Sequence, residues 1–300
     1  MIIANPIYDV VFKYLLKDVE IARELLSTIL GEEVISLDVK PQETTTENTA
    51  SSVSILRFDF KAVIKTKSGE RKKALIELQK AKQVFDVMRF RRYLGDNYRK
   101  EDLILDDTGQ SKKLPLPIVT IYFLGFPLDN IKNAVVKINR EYRDVITQEV
   151  LDVQEDFVEL LTHDSYLIQL KLLAGKSRTK LEKVLQVFSP EFKTDDNHQL
   201  NFKGDLNEPL VQKIVARLER AIASEEIREK MDVEDEIDRI FERELSKLAL
   251  EKDRIIAAKD QELEAKDQEL EAKDQELEAE RQKAEALLKE LEELRKQMKK

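Results

Sequence analysis

From Val233 to Lys300 the chain contains neither proline nor glycine, and Glu, Lys, Ala, Leu and Gln dominate the segment. Nothing there can end a helix, so the pattern predicts one continuous helix roughly 100 Å long at ~1.5 Å per residue. Within it Ala-Lys-Asp-Gln-Glu-Leu-Glu occurs three times from Ala258 to Glu278. The repeat is a heptad, and Leu263, Leu270, Leu277, Ala284, Leu291 and Met298 fall on one position. A second core position holds Lys266, Lys273 and Glu280 before becoming Leu287 and Leu294. The expectation is a coiled coil, half-apolar in the repeats and firmer toward its end, that joins copies of the chain into a homo-oligomer. The alternative is a solvated single helix held by Glu/Lys pairs.

Upstream the period changes from seven to two. Between Val53 and Thr66, Leu56, Phe58, Phe60, Ala62 and Ile64 alternate with Arg57, Asp59, Lys61 and Lys65. Between Arg71 and Gln79, Ala74, Ile76 and Leu78 alternate with Lys73, Glu77 and Gln79. This is the signature of a half-buried β-hairpin with one apolar and one solvated face. Lys67-Ser68-Gly69 suits a three-residue loop with Gly69 left-handed, which makes paired residue numbers sum to 136 and sets Asp59 opposite Glu77. A two-residue loop would shift the sum by one and send the carboxylates to opposite faces. Two carboxylates with waters and a substrate phosphate are a common shell for Mg²⁺ or Mn²⁺, which supports phosphodiester hydrolysis. The plainer reading pairs these acids with Arg57, Lys61 and Lys73 as sheet-face charges.

The distribution of charge decides what such a site would meet. The net charge is −9, yet residues 57–100 hold 14 basic and 5 acidic groups. Basic charge around a candidate metal hairpin is the footprint of a phosphate-backbone binder; the plainer reading is a solvated hairpin and helix whose lysines aid solubility. Val84 to Lys100 reads as a helix, with Arg89 and Tyr93 on one face and Arg92 and Arg99 placed to track phosphates. Ile7 to Leu30 reads as one helix with Val11, Leu15, Val19, Ala22, Leu26 and Ile29 in a stripe and Gly31 as the stop. On its polar side Asp9 lies four residues before Lys13, the spacing of an ordinary ion pair. Pro41 to Ser52 reads as a polar loop, and Pro115 to Pro127 as a central strand buried on both faces. Ala134 to Ile138 and Ile146 to Val153 are further strand candidates. The pattern turns helical from Ser165, Lys193 to Asn207 reads as a loop, and Glu208 to Ser224 as a helix. His163 and His198 are the only histidines and suggest no triad or metal set.

Asp59 on one strand with Glu77-Leu78-Gln79 on the next resembles the core of the PD-(D/E)xK nuclease superfamily. More closely, residues 1–127 resemble its bacterial transposase-like members, the recombination-promoting nucleases. The opening Asn5-Pro6 with Asp9, Phe12 and Lys13, the helix with Phe85, Arg89 and Tyr93, and the strand Leu116 to Leu124 carry that resemblance alongside the hairpin. It implies a restriction-endonuclease-like α/β fold, a mixed sheet flanked by helices, and metal-dependent DNA cleavage. By the same resemblance Asp59 and Glu77 bind the metal, Asp9 adds a third carboxylate, and Gln79 stands where a lysine usually orients the attacking water. Phe58 replaces the motif's proline. Because Gln79 carries no charge, Lys61 on the same face is the candidate substitute.

The chain is thus expected to hold a nuclease-like core in residues 1–155, a helical extension in 156–230 and the long helix in 231–300. The expected function is a Mg²⁺- or Mn²⁺-dependent DNA endonuclease. The alternative is a catalytically inactive nucleic-acid-binding or coiled-coil interaction protein. There is no cysteine, so disulfides and thiolate metal sites are excluded. No apolar run is long enough to cross a bilayer and the opening residues do not read as a signal peptide, so a cytoplasmic location is expected.

Overall fold

The structure is a computed structural model that describes residues 1–41, 60–80, 84–105 and 110–297. Along the chain these form β1 (Ile2–Ala4), α1 (Asp9–Leu16), α2 (Val19–Leu30), β2 (Val34–Pro41), β3 (Phe60–Thr66) and β4 (Arg71–Gln79). There follow α3 (Val84–Arg99), β5 (Asp102–Leu105), β6 (Ser111–Leu114), β7 (Ile118–Leu124), β8 (Val135–Ile138), β9 (Tyr142–Arg143) and β10 (Val150–Leu151). The last elements are α4 (Asp156–Leu161), β11 (His163–Gln169), α5 (Lys180–Gln186), β12 (Gln199–Asn201), α6 (Pro209–Ala223) and α7 (Glu225–Gln297).

The fold is mixed α/β, built on a six-stranded sheet in the order β2-β3-β4-β7-β11-β8. β2, β3 and β4 pair antiparallel, β4, β7 and β11 run parallel, and β8 closes the edge antiparallel to β11. Parallel neighbours need a crossover, and α3 with the β5–β6 hairpin supplies the one between β4 and β7. One face of the sheet, with Ile64, Ile76, Ile121, Phe123 and Ile168, packs into the main core with residues of α1, α2, α5 and α6. The other face carries a smaller cluster of Leu75 and Ile118 with Phe90 and Tyr93 of α3. β7 is central and almost wholly buried, as its apolar run requires.

The β3–β4 hairpin has the expected register: from Phe60–Ile76 to Lys65–Arg71 every pair sums to 136. The Thr66 amide donates to the Glu70 carbonyl, and Gly69 adopts φ +91°, the left-handed conformation that three-residue loops place on glycine. The residues before Phe60 in the first arm, Asp59 among them, lie outside the described residues. The expected solvated face is not found. Lys61, Lys73, Glu77 and Gln79 are all buried, because α3 and β5 cover that face.

Other expectations change with packing. The single helix over Ile7–Leu30 is two, because the Asp18 carboxylate accepts from the Ile21 amide and starts α2 afresh. The break rotates Val19 off the apolar stripe and leaves it exposed. Ser165 to Gln169 is strand, not helix: β11 inserts between β7 and β8. Of Ile146–Val153 only Val150–Leu151 is extended, and Ile146 lies outside any strand. β1 and β12 form a short antiparallel pair that the sequence did not suggest.

The chain divides into two units, Met1–Asp235 and Glu236–Lys300. The boundary expected at 155 therefore falls inside a unit, since residues 156–230 supply a sheet strand and core helices and are not a separate helical extension. In the second unit α7 continues to Gln297, and every described side chain from Arg239 onward is exposed. Lys266–Glu262 and Lys273–Glu269 form ion pairs one turn apart along it. Among the described residues no helix is long and apolar enough to cross a membrane.

Candidate functional site

β4 places Glu77 and Gln79 on the same face, two residues apart, near the carboxyl end of a strand that runs parallel to β7. The Gln79 Nε2 donates to Glu77 Oε1 at 3.2 Å. Glu77 lies opposite Tyr122 on β7 and is 1% exposed. Burial pushes the hydroxyls of both Tyr93 and Tyr122 well above the ordinary tyrosine pKa, and the nearby Glu77 charge adds to each shift. Both phenols therefore stay neutral beside the carboxylate. Gly125 follows β7 where backbones meet: its amide donates to the Gln79 carbonyl at 2.7 Å, and a Cβ there would lie 2.5 Å from the Lys80 carbonyl. Glycine is required by that approach.

Lys61 points along the same face, but its ammonium forms an ion pair with Asp102 of β5. The charge expected to stand in beside Gln79 is thus neutralised by a residue the sequence did not single out. Lys73 joins the same carboxylate at 2.5 Å and donates to the Asn97 and Lys100 carbonyls at the end of α3. Burial lowers the Lys73 pKa, and the Asp102 charge and hydrogen bond oppose the shift. Two ammoniums and one carboxylate thus tie α3, β5, β3 and β4 together behind the Glu77–Gln79 pair.

Asp9 opens α1 and forms the ion pair with Lys13 that its spacing predicts. It reaches the β4 end of the sheet through intermediaries. Glu234 of α7 accepts from the Asp9 and Val10 amides at 3.0 and 2.8 Å, and Lys80, next to Gln79, pairs with Glu234 at 3.0 Å. The Lys80 ammonium also stands 3.8 Å from the centre of the Tyr8 ring. Burial raises the Asp9 pKa to about 6; Lys13 opposes the rise and Glu234 adds to it.

On α3 the expected DNA-contact residues separate. Tyr93 is buried against the sheet and is not available to a nucleic acid in this structure. The reason is periodicity: with Phe90 it forms the inward stripe of the helix. Arg92 and Arg99 are exposed, Arg99 being paired with Asp96 at 3.1 Å. The side chain of Arg89 lies outside the described residues. Both histidines have structural partners: His163 Nδ1 and the Tyr98 hydroxyl are 2.7 Å apart, and His198 Nε2 is 3.0 Å from Asp235.

Among the described residues no three His, Cys, Asp or Glu side chains converge as a metal-holding group. The described part of the site supplies the carboxylate of Glu77 and the amide of Gln79, oxygen donors of the type a hard divalent cation takes. Sequence reasoning missed Asp102, Glu234 and Lys80. Their only signal is tertiary, since each meets a partner far away in the chain. No family model matches the chain, and neither a curated protein nor a solved structure matches it.

Proposed function

We propose that the chain is a metal-dependent DNA endonuclease of the PD-(D/E)xK type, with Asp59 and Glu77 as ligands for Mg²⁺ or Mn²⁺ and Asp9 as an auxiliary carboxylate. The observation that supports this most is the Glu77–Gln79 pair on a β4 that is flanked by an antiparallel hairpin partner and a parallel strand reached through α3. A bound divalent ion would polarise the scissile phosphate and lower the pKa of a water. Gln79 would orient Glu77 and that water by hydrogen bonding while adding no charge. Arg92 and Arg99 are exposed α3 cations that could follow a phosphate backbone, with Arg89 proposed from sequence alone. In this reading α7 is a coiled coil that joins copies of the chain.

A second reading has an observation of its own. Glu77 is almost wholly enclosed and the Lys61 charge is committed to Asp102, which suits a catalytically silent protein that keeps the fold for binding.

Incubation of the purified chain with supercoiled plasmid, with and without Mg²⁺ or Mn²⁺, separates the two. Metal-dependent nicking that Asp59→Ala and Glu77→Ala each abolish, with circular dichroism unchanged, is the expected result. Gln79→Ala should be milder, a loss of about 10- to 100-fold, as for groups that orient a metal ligand. Nicking by both carboxylate variants at the parent's rate sinks the site. DNA binding without cleavage under any metal selects the second reading.

A further inference from the structure

The exposed apolar line of α7 is more specific about its partner than a heptad alone. Leu263, Leu270, Leu277, Leu287 and Leu291 are each at least half exposed, so the helix carries a seam that nothing described covers. Its charges are segregated along the axis. Residues 258–280 carry three basic and ten acidic groups, whereas residues 281–300 carry seven basic and four acidic. A parallel pair of such helices lays the acidic repeats on one another. It also stacks Lys266 on Lys266, Lys273 on Lys273 and Glu280 on Glu280 in the second core position, and sets Glu262 and Glu269 beside Asp267 and Asp274 of the other helix.

From this charge pattern we infer that α7 pairs with α7 of a second copy in antiparallel orientation, with facing core residues summing to 557. The inference rests on the reading of α7 as a coiled coil and adds its direction. In that register Leu270 packs on Leu287 of the second copy, and the acidic repeats lie along the basic end. Asp274 then flanks Arg281, and Glu276 flanks Lys283, so opposite charges border the middle of the seam, while Glu269 with Glu290 is a like-charged pair further out. Lys273 falls opposite Ala284, a small residue that lets the lysine stem cover apolar surface while its ammonium reaches water. The Lys266–Glu262 and Lys273–Glu269 pairs within each helix remain compatible with this packing.

The absence of cysteine makes the direction measurable on the full chain, because one introduced thiol can be spin-labelled alone. Gln261→Cys and Gln275→Cys both lie on the heptad position facing away from the seam. Antiparallel pairing separates the two labels at position 261 by 35 residues of rise, about 50 Å, and brings those at 275 close together. Light scattering should give a dimer mass, and electron–electron distance measurement should give the long value at 261 and the short one at 275. A dimer with both distances below about 30 Å overturns the orientation and leaves the coiled coil standing. Any other mass, a monomer above all, overturns the pairing itself.

Discussion

At the residue scale the decisive group is Asp102, which lies between two buried ammoniums. Removing one partner of a buried ion pair strands charge in a poorly solvated place, so Asp102→Ala should lower unfolding stability by about 3–5 kcal/mol. Lys73→Met is the informative contrast. It leaves Lys61 and Asp102 as a balanced pair and fills the space with apolar atoms, so it should cost less, although the Asn97 and Lys100 carbonyls lose a donor. Urea denaturation of the two variants checks the ranking, and an equal loss for both would show that Lys73 acts mainly on the end of α3. The carboxylate lies 41 residues from Lys61 and 29 from Lys73 in the sequence. Alternation alone could place the lysines on the polar face, but only the fold shows that this face is closed.

At the element scale the start of α1 is organised from a distance. A carboxylate in a first helical turn is ordinarily stabilised by the free amides there. In this chain Glu234 takes those of Asp9 and Val10, and Asp9 is left to burial with Lys13 as its partner. Its folded pKa of about 6 exceeds the ordinary 3.8, so the folded state holds the proton more tightly than the unfolded chain does. That preference stabilises the fold at low pH and is lost as pH rises from about 4 through 6. Between these limits the parent should lose on the order of 2 kcal/mol relative to Asp9→Asn, as measured by denaturant melts across the range. A flat difference between the two proteins would refute the shift. The helix Asp9–Leu16 was legible from its apolar spacing, and the new start at Asp18 could have been read from its capping chemistry. The Glu234 cap could not, because it is supplied from another element more than two hundred residues away.

At the scale of the whole molecule the root of α7, up to Asp235, belongs to the first unit. Ile227 and Met231 enter the main core, and Asp235 bonds the Tyr8 hydroxyl and His198. A chain ending at Lys247 keeps all of these contacts. Its melting temperature should stay within about 4 °C of the parent's, a shift corresponding to at most ~1–2 kcal/mol in a domain of this size. Its mass by light scattering should be monomeric. A large fall in melting temperature would mean that the second unit supports the first, and a retained dimer would place the contact between copies elsewhere.

What the sequence determined by itself was local in cause. The loop residues Lys67-Ser68-Gly69 set the register, alternation put Glu77 and Gln79 on one face of β4, and the lack of proline and glycine made α7 continuous. These follow from backbone sterics and side-chain period, which act over a few residues. Tertiary structure decided which faces are covered. It buried the polar side of the hairpin beneath α3 and β5, turned Tyr93 inward and brought Asp102 to Lys61 and Lys73. It also inserted β11 beside β7, where the leucine spacing alone predicts helix. Burial and charge pairing depend on residues far apart in sequence, and their energies exist only once the chain has brought them together.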